Sequence, residues 1–219
     1  MYNYYLLHHT TPRMFPVADA TQRHSEEHDM SEDALVQYGS PTLAGLKTGN
    51  LFSVPFSDRK KLHEEIRELN HQLVPVGLCL LPMKLMRDRA LLYLFRPASL
   101  EKDLACEQAE EILNGEGYDL STLGKCLGRL IARLRQEKDF PHEIGLFLSY
   151  PPEDVKGFIE NKAANCKCAG LWKVYGDEEA AKKTFRKYRH CAEVYRRQWQ
   201  QGVRLEKLLV RHEQIIGGK

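Results

Sequence analysis

A chain of 219 residues, 42% hydrophobic and 28% charged, can bury a core and is too ordinary in composition to be fibrous or low-complexity. Its longest apolar run, Val74 to Met83, is broken by Pro75, Gly77 and Pro82 and falls far short of a membrane span. The net charge of +2 hides an asymmetry: residues 151–219 carry 15 Lys/Arg against 9 Asp/Glu, and residues 1–150 carry 17 against 21, so the C-terminal third favours an anionic ligand or partner.

The opening Met-Tyr-Asn-Tyr-Tyr-Leu-Leu-His-His lacks the basic and long apolar segments of a signal peptide, and a cytoplasmic protein is expected. Six cysteines, at 79, 106, 126, 166, 168 and 191, are too sparse for a disulfide framework and are expected to be reduced. Residues 1–29 hold His8, His9, His24 and His28, two prolines and no amphipathic period. They are expected to be a disordered extension before a natural start at Met30, leaving a single domain over 30–219. The four histidines are too irregularly spaced to suggest a structural metal site.

From Met30 the pattern becomes regular. Ser31 is placed as an N-cap ahead of Glu32 and Asp33, predicting a helix over 31–38. Ser40-Pro41 opens a second helix to about Lys47, and Asn50 to Phe56 reads as an apolar loop. Ser57 or Asp58 caps a helix to about Leu73, with Leu62, Ile66, Leu69 and Leu73 at helical spacing. Residues 77–85 and 90–95, joined by Met86-Arg-Asp-Arg, read as a β-hairpin. A helix from about Ser99 to Asn114 and another from Ser121 to Gln136 follow. His142 to Tyr150 reads as a third strand and Leu171 to Tyr175 as a fourth.

A long helix from Asp177 to about Gln200 carries an inward stripe of Ala181, Thr184, Phe185, Tyr188, Cys191, Ala192, Tyr195 and Trp199. Gly202 interrupts it before a short terminal helix around Leu205, Leu208 and Leu209. The fold class that follows is α+β: a small, mainly antiparallel sheet of about four strands covered by several helices, with a long C-terminal amphipathic helix.

Chemistry-bearing side chains concentrate in residues 141–176. Tyr150-Pro151-Pro152 stops the preceding element, and Pro152 suits the first turn of a helix whose Glu153 and Asp154 favour its positive end. Beyond that helix, Asn161, Lys162, Asn165, Cys166, Lys167 and Cys168 precede Gly170 with no large apolar side chain among them. Asn and Lys donate to phosphate or carboxylate oxygens, and Trp172 offers a stacking surface. The plainer alternative is a solvated helix exit with an Asn-rich turn.

The ligand-binding candidates are therefore Lys47, Asn50, His142, Asn161, Lys162, Asn165, Trp172 and Lys173, with Cys166 as the candidate reactive group. Cys166, Cys168 and Cys191 could instead serve redox chemistry or hold a metal, but Cys-x-Cys is tighter than the usual ligand spacing and Cys191 lies on the apolar stripe. Gly45-x-Lys47-Thr48 lacks the glycine spacing, the contiguous Gly-Lys-Thr and the preceding strand of a phosphate loop. His142 and Glu143, as neighbours on a strand, would point to opposite faces. Tyr188, Tyr195 and Trp199 stand on the buried stripe, which argues against stacking on nucleic acid.

Ser40-Pro-Thr-Leu-Ala-Gly-Leu-Lys-Thr-Gly-Asn-Leu-Phe, His142-Glu-Ile-Gly-Leu-Phe-Leu-Ser-Tyr-Pro-Pro-Glu-Asp-Val-Lys-Gly-Phe-Ile-Glu-Asn-Lys and Gly170-Leu-Trp-Lys-Val-Tyr-Gly together resemble a bacterial family catalogued as domain of unknown function 3793. The resemblance covers about residues 30–210 and implies a cytosolic protein of anaerobic, often gut-dwelling Firmicutes. It implies no reaction, cofactor or catalytic residue. Three functional classes are left: a small-ligand protein binding an anionic group near residues 161–170, a thiol-based redox or metal-handling accessory protein, and an interaction protein docking an acidic partner through its basic C-terminal helix.

Overall fold

The computed structural model describes residues 18–19, 32–136 and 140–211. Apart from Ala18 and Asp19, the expected extension and its four histidines lie outside the described residues. In chain order the first elements are β1 (Ala18–Asp19), α1 (Glu32–Leu43), β2 (Gly49–Pro55), α2 (Arg59–Leu73), β3 (Cys79–Leu85) and β4 (Arg89–Phe95). Then come α3 (Pro97–Leu104), α4 (Glu107–Gly115), α5 (Leu123–Gln136), α6 (Ile144–Phe147) and α7 (Pro152–Glu160). β5 (Cys168–Ala169), β6 (Lys173–Val174), α8 (Glu178–Gln200) and α9 (Leu205–Leu208) complete the described chain. The fold is α+β, with a long C-terminal helix, as the periodicities predict. The described residues form two compact units: one lies within 99–186, and the other joins those from Ala18 to Ala98 with those from Lys187 to Arg211.

In the discontinuous unit, β4 is the central strand and is buried along its whole length, which explains its nearly unbroken Ala-Leu-Leu-Tyr-Leu-Phe sequence. It pairs antiparallel with β3 in the expected hairpin and with β2 on its other side, while β1 runs parallel to β2. The segment expected as an apolar loop is thus strand β2. Phe52 and Val54 are strand formers, and Pro55, which cannot donate to a ladder, sits at its last position.

Helix α2 packs Leu62, Ile66, Leu69 and Leu73 into one core with Leu35, Phe52, Leu92, Leu94 and Leu205. Each such buried side chain contributes about 1.5–3 kcal/mol. Asp58 caps α2 by accepting from Lys60 N at 2.6 Å. The Asn70 carboxamide both accepts from Leu80 N and donates to Leu80 O (2.8 and 2.9 Å), tying α2 to β3. The two short helices expected before Lys47 are one helix, α1, which tolerates Pro41 within three residues of its end.

The end of α1 is closed by Arg96, which is 1% exposed. Its Nε donates to Thr42 O and its Nη2 to Leu43 O and Val210 O, all at 2.8 Å. The guanidinium therefore meets the negative end of a helix dipole in place of a carboxylate. Burial brings its pKa down to about 10, with the Tyr195 hydroxyl opposing that shift.

In the contiguous unit, the helix expected over 99–114 is broken into α3 and α4 at Ala105–Cys106. Helix α5 buries Leu127, Leu130 and Leu134, as expected from their spacing, together with Cys126, while Leu123 and Ile131, expected on the same face, are only half-buried. The strand expected over 142–150 is instead the single helical turn α6. Ile144 to Leu148 are all buried, so the sequence there carries no in–out alternation from which strand and helix could be told apart. The fourth strand shrinks to β6, half of a small hairpin with β5. No helix among the described residues is long and apolar enough to cross a membrane.

Candidate functional site

The hairpin is held to α7 by a buried carboxylate. Asp154, 1% exposed, accepts from Trp172 Nε1 at 2.7 Å, Tyr175 N at 2.6 Å and Gly176 N at 2.7 Å. Three donors on one carboxylate offset its desolvation and hold the hairpin at a fixed height on the helix. The fit is close: a Cβ on Gly157 would lie 2.5 Å from Tyr175 Cβ, and one on Gly170 would overlap the Phe185 ring. Trp172 is enclosed by Tyr150, stacked at 4.6 Å between centroids, and by Phe185, edge-on at 4.5 Å.

Between α7 and β5 the backbone takes an unusual course. Lys162, Ala163 and Asn165 have φ of 48°, 65° and 58°, the left-handed region that costs an L-residue about 1–2 kcal/mol. Three side chains clamp this turn by donating to carbonyls: Asn161 Nδ2 to Gly157 O at 2.8 Å, Lys173 Nζ to Ala163 O at 2.7 Å and Tyr175 Oη to Ala164 O at 2.9 Å. Lys162 and Asn165 are exposed and Cys166 is half-buried.

The candidates thus divide. Trp172 is buried and bonded to Asp154, while Asn161 and Lys173 hold the turn. Lys162, Asn165 and Cys166 lie on the turn's accessible side. The His142 ring meets Phe158 edge-on at 5.0 Å, and Lys173 Nζ lies 6.0 Å over that same ring. Lys47 and Asn50 belong to the other unit. There Asn50 Oδ1 accepts from Thr42 Oγ1 at 2.7 Å, and burial brings the Lys47 ammonium down to about 7.

Of the cysteines, Cys166 and Cys168 share the hairpin's entry, and Cys191 is buried in α8 with its thiol pushed up to about 11 by desolvation. Among the described residues no three His, Cys, Asp or Glu side chains gather into a group that could hold a metal ion.

Glu143, expected on a strand beside His142, is the second acid of this unit that the sequence leaves unassigned. It is 1% exposed and its Oε1 accepts from Tyr118 Oη at 2.6 Å and pairs with Arg133 Nη1 at 3.0 Å. Arg133 also pairs with Glu116. Burial pushes the Glu143 carboxyl up, against the pull of the Tyr118 hydroxyl and Arg133. Burial, then the Glu143 charge, pushes the Tyr118 hydroxyl well above its ordinary range. The cluster ties α5 to the start of α6 through groups that satisfy one another. A signal for Asp154 was present in the acids of the first turn of α7, but two adjacent acids do not disclose which one turns inward.

A family model described as protein of unknown function (DUF3793) matches residues 35–209. The chain belongs to that family, in agreement with the motif resemblance. No curated protein and no solved structure matches it.

Proposed function

We propose that this DUF3793 protein is a cytosolic small-ligand protein that takes an anionic group at the 162–166 turn. The observation that carries this reading is the run of left-handed, non-glycine residues fixed by three side-chain clamps. Backbone strain of this kind persists only where the surroundings over-determine it, and it clusters at ligand sites. Neither Lys162 nor Ala163 has a short polar side chain to ease a left-handed backbone, so the conformation is imposed by its neighbours. What the turn presents is an ammonium from Lys162, a carboxamide from Asn165 and the Cys166 thiol, a set suited to phosphate or carboxylate oxygens. The backbone that carries these groups is fixed in advance, which lowers the ordering cost of binding. Six free cysteines fit a reducing compartment.

Thermal-shift and native mass-spectrometric titrations with orthophosphate, mononucleotides, flavin mononucleotide and dicarboxylates test the reading. A stabilising shift from one of these probes that Lys162→Ala removes is expected. No shift from any probe, or a shift that Lys162→Ala leaves intact, overturns it.

A second reading has its own observation. On α8, Lys187, Arg189, His190, Arg196 and Arg197 are exposed with Glu193 as the sole acid from Lys187 to Gln200, a face complementary to an acidic partner. Association through it would weaken steeply as salt rises, and an ionic-strength series with no such dependence removes it.

A further inference from the structure

The 162–166 turn leads directly into two thiols. Cys166 and Cys168 are both free and both half-buried, whereas Cys126 and Cys191 are buried. The chain bends at Lys167 between them, and Lys167 N donates to Val174 O at 2.8 Å, with Cys168 opposite Val174 across the hairpin. In a fully extended strand, residues two apart have Cα atoms about 6.6 Å apart. That is the upper end of the roughly 4.4–6.8 Å that a disulfide spans, so a bend brings the pair within range. Glu178, in the first turn of α8, lies near Cys168 and is itself held by Lys182 Nζ at 2.7 Å.

We propose that Cys166 and Cys168 form a reversible dithiol–disulfide couple whose oxidant is a low-molecular-weight disulfide, RSSR. Cys166 loses its proton to solvent and its thiolate attacks one sulfur of RSSR. The S–S bond breaks, a mixed disulfide forms on Cys166, and the departing thiolate takes a proton from solvent as RSH. Cys168 then loses its proton to solvent as its sulfur attacks the Cys166 sulfur. The second thiolate leaves and takes a proton from solvent. Two protein thiols are oxidised to one disulfide and one RSSR is reduced to two RSH; excess thiol runs the same steps backwards.

The roles are unequal. Cys168 is fixed in the ladder opposite Val174 while Cys166 lies outside it, and desolvation with the Glu178 charge pushes the Cys168 thiol up, so Cys166 begins the exchange and Cys168 resolves it. The couple stands on the thiols alone and holds whichever ligand the turn accepts.

The test uses the full-length chain, reduced, desalted without oxygen and treated with oxidised glutathione, followed by intact mass and peptide mapping. The wild type is expected to lose two hydrogens, with the new bond mapped to Cys166–Cys168. Cys168→Ser is expected to retain glutathione on Cys166, and Cys166→Ser to form neither product at this hairpin. Phenylarsine oxide, which needs two adjacent thiols, is expected to bind the reduced wild type and to lose that binding in both variants. A wild type that stays reduced, stops at a mixed disulfide, or links a different cysteine or a second chain overturns the proposal.

Discussion

Each compact unit buries a charge without giving it a full counter-charge, and the two solve the problem with opposite signs. Asp154 collects N–H donors from Trp172, Tyr175 and Gly176, and Arg96 collects carbonyls from Thr42, Leu43 and Val210. In both places oriented backbone dipoles stand in for an ion of opposite charge. The carboxylate fastens a hairpin that has almost no ladder of its own, whereas the guanidinium finishes a helix that already has one. The first is therefore indispensable locally, and the second is a join between distant stretches of chain.

The largest effects should come from these two charges. Asp154→Ala strands one buried and two half-buried donors and should lower stability by about 2–4 kcal/mol. Chemical denaturation measures it, and red-shifted emission of Trp172 would report the released hairpin. A loss below about 1 kcal/mol would show that the hairpin is held by packing alone. Arg96→Met keeps the aliphatic volume but abandons three carbonyls, and about 2–4 kcal/mol should go. Arg96→Lys should fall between that variant and the wild type, because an ammonium cannot span all three acceptors.

Glu143 sharpens the contrast, since it is a buried charge with an ionic partner, Arg133. Tyr118→Phe should cost about 1–2 kcal/mol. The pH dependence has a definite sign. With its folded pKa raised above an unfolded value of about 4.3, Glu143 holds its proton longer in the native state. Its contribution is then full below the unfolded value and is lost as pH rises through the folded one. Glu143→Gln should flatten that slope in unfolding free energy, and an unchanged slope would assign it to another group. The smallest effect is expected at Lys162→Gly, where glycine relieves the left-handed backbone for a gain of about 0.5 kcal/mol. The same change should weaken any anion bound at the turn, separating stability from binding.

Elements with a one-sided pattern were legible in the sequence: α2, α5 and α8 all expose one face and bury the other, and the β3–β4 hairpin was marked by its Met86-Arg-Asp-Arg turn. Legibility failed where burial was complete and no such turn marked the ends. The Ile144–Leu148 run is enclosed on every side, so an apolar stretch that looks like a strand closes into one helical turn. Strand β2 was hidden behind Pro55, which argues against a strand until its place at the end is known. At the candidate site, the loop was legible from its polar composition, but the jobs of its members were not. Asn161, Trp172 and Lys173 have donor groups that any ligand could use, and the fold spends them on its own carbonyls and on Asp154. No local pattern reveals that use, because each partner is fixed only when the hairpin meets α7.

The bond from Arg96 to Val210 spans 114 positions, and Val210 N in turn donates to Leu43 O at 3.1 Å. During synthesis the residues between Ser99 and Arg186 leave the ribosome as one uninterrupted piece and can condense as soon as they emerge. The stretch made before it has to wait. Helix α1 stays unfinished at one end until Val210 has emerged, so a chain released before that point would carry a condensed 99–186 segment and an α1 without its closing bonds.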